Sequence, residues 1–184
     1  MSWKDHIAEL TSKLNKACYD IGAIKPLLSL DVLKIIYFSY VHSVMSSDHS
    51  DSIFKIQKRI IRIITDTGRL DSCHQLYKQL WILPLPSQYI FSLPVFVNKY
   101  KGQFLSNLEN HDINAHYNYN LHLPSRNLTL VQKGVLYSGS RFYNHLPLNI
   151  KILSNDVKHF KSTLRSYLIE HTFYSVDEYY QLTS

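Results

Sequence analysis

Apolar residues recur at steps of four and three along the first two dozen positions: Trp3, Ile7, Leu10, Leu14, Ala17, Ile21 and Ile24. That spacing keeps one seam on a helix and predicts a helix over residues 2–23, stopped by Lys25-Pro26. Ser29 and Asp31 open a second helix with Leu33, Ile36, Tyr37, Tyr40 and Val44 at helical spacing. The short link between the two predicts an antiparallel hairpin. After the polar break 46–50, Asp51–Thr65 divides cleanly. Ile53, Phe54, Ile56, Ile60, Ile61, Ile63 and Ile64 take one half of the wheel, and Lys55, Lys58, Arg59 and Arg62 form a stripe on the other. Ser50, Asp51 and Ser52 supply cap candidates, and Thr65-Asp66-Thr67-Gly68 supplies the stop.

Ser72 caps the next segment, where Cys73, Leu76, Tyr77, Leu80 and Trp81 share a face. Pro86 stands as the first residue of a further helix bearing Tyr89, Ile90, Leu93, Phe96, Val97 and Tyr100. Pro94 lies inside that pattern, and an interior proline costs a helix about 3 kcal/mol, so a kink or split is expected there. Residues 102–127 are rich in Asn and His and read as a long loop with a short extended piece at 120–123. Residues 128–146 are ambiguous, with Val135, Leu136, Phe142 and Tyr143 favouring helix. Asn155-Asp156 opens a last helix with Val157, Phe160, Leu164, Tyr167 and Leu168 inward, and Lys158, Lys161 and Arg165 form a second basic stripe on it. The fold class is therefore mainly α: a helical region over 1–100, an Asn/His-rich loop over 101–127, and a C-terminal helical segment over 128–184.

Charge sharpens the reading of the basic helix. Twenty Lys and Arg against 14 Asp and Glu give +6 and a pI near 9.2, a balance suited to a polyanionic partner. The stripe spacing also fits the solvated face of a core helix. What favours a polyanion is that the stripe is purely basic and is expected to lack pairing carboxylates along its helix. Its β-branched apolar half is unlike the Leu, Phe and Trp of interfacial helices, so no membrane role is read from it. At 45% hydrophobic the chain can pack a core, while only 18% charged residues leaves room for a protein-covered surface. Two cysteines, Cys18 and Cys73, read as buried thiols of a reducing compartment, and the N-terminus is no signal peptide, so a cytosolic or nuclear location is expected.

Catalytic chemistry finds little footing. His111, His116 and His122 share the loop without a second ligand pair at zinc spacing. No nucleophile elbow or phosphate-binding glycine loop occurs. The adjacent acids Asp177-Glu178 have no further carboxylate with which to share metal ions. No cofactor and no catalytic residue is expected.

Several runs together resemble one family: Ser2-Trp-Lys-Asp-His-Ile, the basic helix itself, Asp71-Ser-Cys-His-Gln-Leu-Tyr-Lys-Gln-Leu, and Ile82-Leu-Pro-Leu-Pro-Ser-Gln-Tyr-Ile-Phe. Leu121-His-Leu-Pro, Leu136-Tyr-Ser-Gly-Ser-Arg-Phe-Tyr-Asn-His-Leu-Pro and Phe173-Tyr-Ser-Val-Asp-Glu-Tyr continue it in order. The chain resembles the C-terminal part, thumb and beyond, of jockey-like non-LTR retrotransposon reverse transcriptases. The resemblance implies a helical thumb that holds a template–primer duplex, with Lys55, Lys58, Arg59 and Arg62 on phosphates and Lys158, Lys161 and Arg165 as auxiliary contacts. The family's aromatic-Ala-Asp-Asp metal motif has no counterpart here, so the chain is expected to be a non-catalytic, truncated fragment of an RNA-directed DNA polymerase. Departures stand at the apparent deletion after Met45, at Asn114-Ala115-His116 and at Pro94. The alternatives are a helical interaction module, in which the Trp3–Ile24 seam docks on a missing palm or pairs with a second copy, and an inert relic.

Overall fold

The apolar seam at the N-terminus is buried chiefly against the basic helix, not against the helix that follows it. In the computed structural model, which describes residues 3–42, 51–100, 120–121 and 135–182, α1 (Trp3–Ile24) packs mainly along α3 (Asp51–Thr65). Leu10, Leu14, Ala17, Cys18 and Ile21 are the buried positions of α1; those of α3 include Ile53, Ile56, Ile60, Ile61 and Ile64. At roughly 1.5–3 kcal/mol per buried aliphatic side chain, this pairing dominates the packing of its region. α2 (Leu30–Ile36) makes a lesser contact with α3, so the expected α1–α2 hairpin is not the main pairing. The described residues are mainly helical, with no strand among them. The chain divides into two compact units, Met1–Gln88 and Tyr89–Ser184.

Local geometry corrects the inward set of the second helix. α2 continues into a π-helical turn, Tyr37–Val41, closed by the His42 N–H on the Tyr37 carbonyl. A π turn takes one extra residue, which brings Val41 inward after Leu33 and Tyr37 and leaves Tyr40 exposed. Val44 and the polar break 46–50 lie outside the described residues. In α4 (His74–Leu80), Leu76, Tyr77 and Leu80 are buried as the spacing predicts. Trp81 is not on that face: it sits at φ 58° in the left-handed region, ends the helix and is exposed. Pro94 does not split its helix either, since α5 (Leu85–Lys99) runs unbroken through it. Pro94 is itself buried between Leu93 and Val97 in sequence, both also buried, and that burial offsets the lost backbone bond.

One polar side chain lies inside the first unit. Gln57 is fully buried on α3. Its amide nitrogen donates to the Tyr37 hydroxyl at 2.8 Å and to the Leu83 carbonyl at 3.0 Å. Its amide oxygen accepts from the Tyr77 hydroxyl at 3.1 Å and from the Leu85 N–H at 2.8 Å. Every donor and acceptor of the amide that these four bonds use is matched, as a buried polar group requires.

In the second unit, α6 (Val135–Asn144) makes residues 135–144 of the ambiguous stretch helical, with Phe142 and Tyr143 buried, while residues 128–134 lie outside the described residues. The Asn144 amide takes both backbone groups of Leu121, at 2.7 and 2.8 Å, as a neighbouring strand would. The remainder of the expected 101–127 loop, apart from Asn120 and Leu121, lies outside the described residues. α7 (Leu148–Lys151) and a 3₁₀ turn, Ile152–Asn155, lead into α8 (Val157–His171). Asp156 caps α8 by accepting from the Lys158 and His159 N–H groups, both at 3.0 Å. Phe160, Leu164 and Leu168 are buried as expected, whereas Val157 in the first turn is exposed. The aromatic tail forms α9 (Val176–Leu182), whose first turn is held by Glu178 N–H on Ser175 Oγ and by the Glu178 carboxylate on Tyr174 N–H. Its Tyr179 is buried, stacks on Phe142 and donates to the Phe142 carbonyl.

Two substitutions test these contacts. Gln57→Leu removes the acceptor of the Leu85 N–H, and the expected loss is about 2–3 kcal/mol, read as a lower urea midpoint at unchanged slope. At Gly139, a Cβ would come within 2.7 Å of Val97 Cγ2. Gly139→Ala is therefore expected to destabilise, although alanine gains about 1 kcal/mol in helix propensity. In a Val97→Ala background the same change should become stabilising, a sign reversal that a double-mutant cycle of urea melts would detect.

Candidate nucleic-acid interface

Burial of the isoleucines on α3 fixes where its cations point. Lys55 and Arg59 are exposed, while Lys58 and Arg62 are half-buried at the edge of the packed face. The four cations do not lie on a bare convex surface. They form one side of an open groove of about 980 Å³, and Lys25 with Pro26 from the turn after α1 and Arg69 from the α3–α4 loop complete it. Six cations line this groove, against the single carboxylate of Asp66.

Each cation has its own surroundings. The Lys58 ammonium lies 4.1 Å from the centre of the Phe54 ring, a cation–π contact that holds the side chain along its helix. Arg62 donates through Nε at 3.1 Å and through Nη2 at 2.8 Å to the Asp71 carbonyl. The Asp71 carboxylate in turn accepts from the Gly68 N–H at 2.7 Å. Together these bonds set the loop that brings Arg69 to the groove, so Arg62 acts as scaffold as well as charge. Lys25 is ion-paired with Asp66. Asp51 stands four residues before Lys55 and Asp66 four after Arg62, so spacing alone permitted acidic partners on α3. Among the described residues no carboxylate forms an ion pair with Lys55, Arg59, Arg62 or Arg69.

The second stripe is a different surface. Lys158 and Lys161 are exposed and Arg165 half-buried on α8 of the second unit, and none of the three lines the groove. Conversely, sequence reasoning passed over Lys25, Asp66 and Arg69. None of them belongs to a helical period; each lies at a helix end or in a loop, with Pro26 or Gly68 beside Lys25 and Arg69 as the only signal. Among the described residues no group of three His, Cys, Asp or Glu side chains could hold a metal ion. His111, His116 and His122 lie outside the described residues.

Both cysteines sit beneath the basic helix. Burial pushes the Cys18 thiol above its ordinary range despite the opposing pull of Arg59. It does the same to Cys73, against the pull of Arg62 and Lys58. Desolvation wins in both cases because both cysteines are buried.

No family model matches the chain, and neither a curated protein nor a solved structure is significantly similar to it.

Because both thiols are buried and held above their ordinary range, Cys18 and Cys73 are expected to react with Ellman's reagent at pH 8 more slowly in the native chain than in denaturant. Fast native labelling of either one would mean that the helix packing above it opens readily.

Proposed function

We propose that the first unit binds the sugar–phosphate backbone of nucleic acid, without sequence preference, through the basic groove. The observation that carries this reading is the groove's lining: six cations, one carboxylate and no aromatic side chain. Phosphate contacts position a duplex but carry no sequence information, and cationic side chains supply them. Stacking on splayed bases needs aromatic platforms, which this lining lacks. The resemblance to the thumb region of non-LTR retrotransposon reverse transcriptases supports the same assignment and suggests an RNA–DNA or DNA duplex as the partner. On this reading the chain is a non-catalytic piece of an RNA-directed DNA polymerase, with Lys158, Lys161 and Arg165 as auxiliary contacts and no chemistry of its own.

A second reading is a protein-docking module. The α1 seam is already covered by α3, so such docking would use the other apolar surface of the first unit, where Leu27, Leu30, Val32 and Ile35 are exposed.

Fluorescence anisotropy with a short RNA–DNA hybrid distinguishes the two. About four phosphate contacts correspond to a slope of log K on log salt of roughly −3 to −4. Lys58→Glu with Arg59→Glu is expected to weaken binding at least tenfold and to flatten that slope by about two. Unchanged affinity and slope would make the stripe a solvated face only.

A further inference from the structure

Asp66 occupies a helix end where local electrostatics disfavour an acid. Thr65 ends α3, and the Thr67 N–H reaches back to the Arg62 carbonyl at 3.1 Å, which is the six-to-one bond of a Schellman cap with Asp66 at the residue after the helix. That residue has φ 59°, in the left-handed region where glycine or asparagine is the favoured occupant. The C-terminal end of a helix also carries the negative pole of its dipole, so a carboxylate is the wrong charge there. Side chains that break local rules in this way are found where function asks for them. Asp66 is the one acid in the groove, its carboxylate is almost fully exposed, and it is paired with Lys25.

We propose that Asp66 is an electrostatic latch on the groove, holding Lys25 in an internal ion pair and withholding it from an incoming phosphate chain. The inference rests on the reading of the groove as a phosphate-backbone site. Lys25 comes from the turn after α1 and the other stripe cations from α3, so the pair spans two elements of the groove. While it is closed, the acid both neutralises one cation and repels the ligand. When a polyanion binds, its phosphate competes for the Lys25 ammonium and leaves Asp66 to solvent, which its exposure makes cheap. Ion pairs exposed to this degree are weak, so the latch tunes affinity and salt response; it does not switch binding off.

Asp66→Asn tests the proposal without disturbing the cap, because asparagine is at home in the left-handed region. With the same RNA–DNA hybrid as probe, the variant is expected to bind about two- to fivefold more tightly and to steepen the salt slope by about one. Its melting temperature should be unchanged or higher. In a Lys25→Ala background most of that gain should vanish, because no ammonium remains to release. Equal affinity and slope for Asp66→Asn and the wild type, with the wild type still binding and still losing affinity on Lys58→Glu with Arg59→Glu, would overturn the latch alone. A gain that persists in full without Lys25 would also overturn it, leaving Asp66 as a diffuse negative charge. A lowered melting temperature with unchanged binding would make the pair a structural tether. A wild type that binds no duplex at any salt would overturn the groove reading and the latch with it.

Discussion

The rotation of α3 about its own axis is the constraint from which the rest of the first unit follows, and the buried amide of Gln57 sets it. An isoleucine-rich face can pack in several registers, because branched apolar surfaces differ little from one angle to the next. The amide has no such tolerance. It must meet two tyrosine hydroxyls, a carbonyl and an N–H drawn from the π turn, α4 and the link into α5. Any rotation that misses them leaves polar groups dry and unbonded, which costs more than a misfit methyl group. With Gln57 inward, Lys55, Lys58, Arg59 and Arg62 have one direction left.

Much of this was legible in the chain because it rests on period. The α1 seam, the division of α3 and the inward set of α8 each repeat for three or more turns, and repetition averages out local exceptions. The features that were missed are single events. One extra residue in a π turn exchanges Tyr40 for Val41, and no window of hydropathy registers one residue. Trp81 fits the α4 spacing, yet the backbone turns left-handed at that residue. Pro94 breaks a rule about isolated helices, and a helix packed along its length is not isolated.

The candidate site divides along the same line. Its four α3 cations were visible as a stripe, but their enclosure in a groove was not, because Lys25 and Arg69 come from connecting segments with no periodicity. A stripe and a groove differ physically. On a convex surface each charge meets solvent separately, whereas in a concavity the fields of several like charges overlap and concentrate. The groove also accounts for why so basic a face is tolerated: a ring of Phe54, a carbonyl of Asp71 and the carboxylate of Asp66 each hold one of its cations.

Arg62 illustrates how lysine and arginine part ways even within one row of positive charge. Its planar fork grips a single carbonyl with two N–H groups, a grasp that a flexible ammonium does not reproduce. A lineage drifting by charge-preserving exchanges could therefore swap the exposed Lys55 freely. At position 62 the same exchange would keep the formal charge and still let the following loop come adrift.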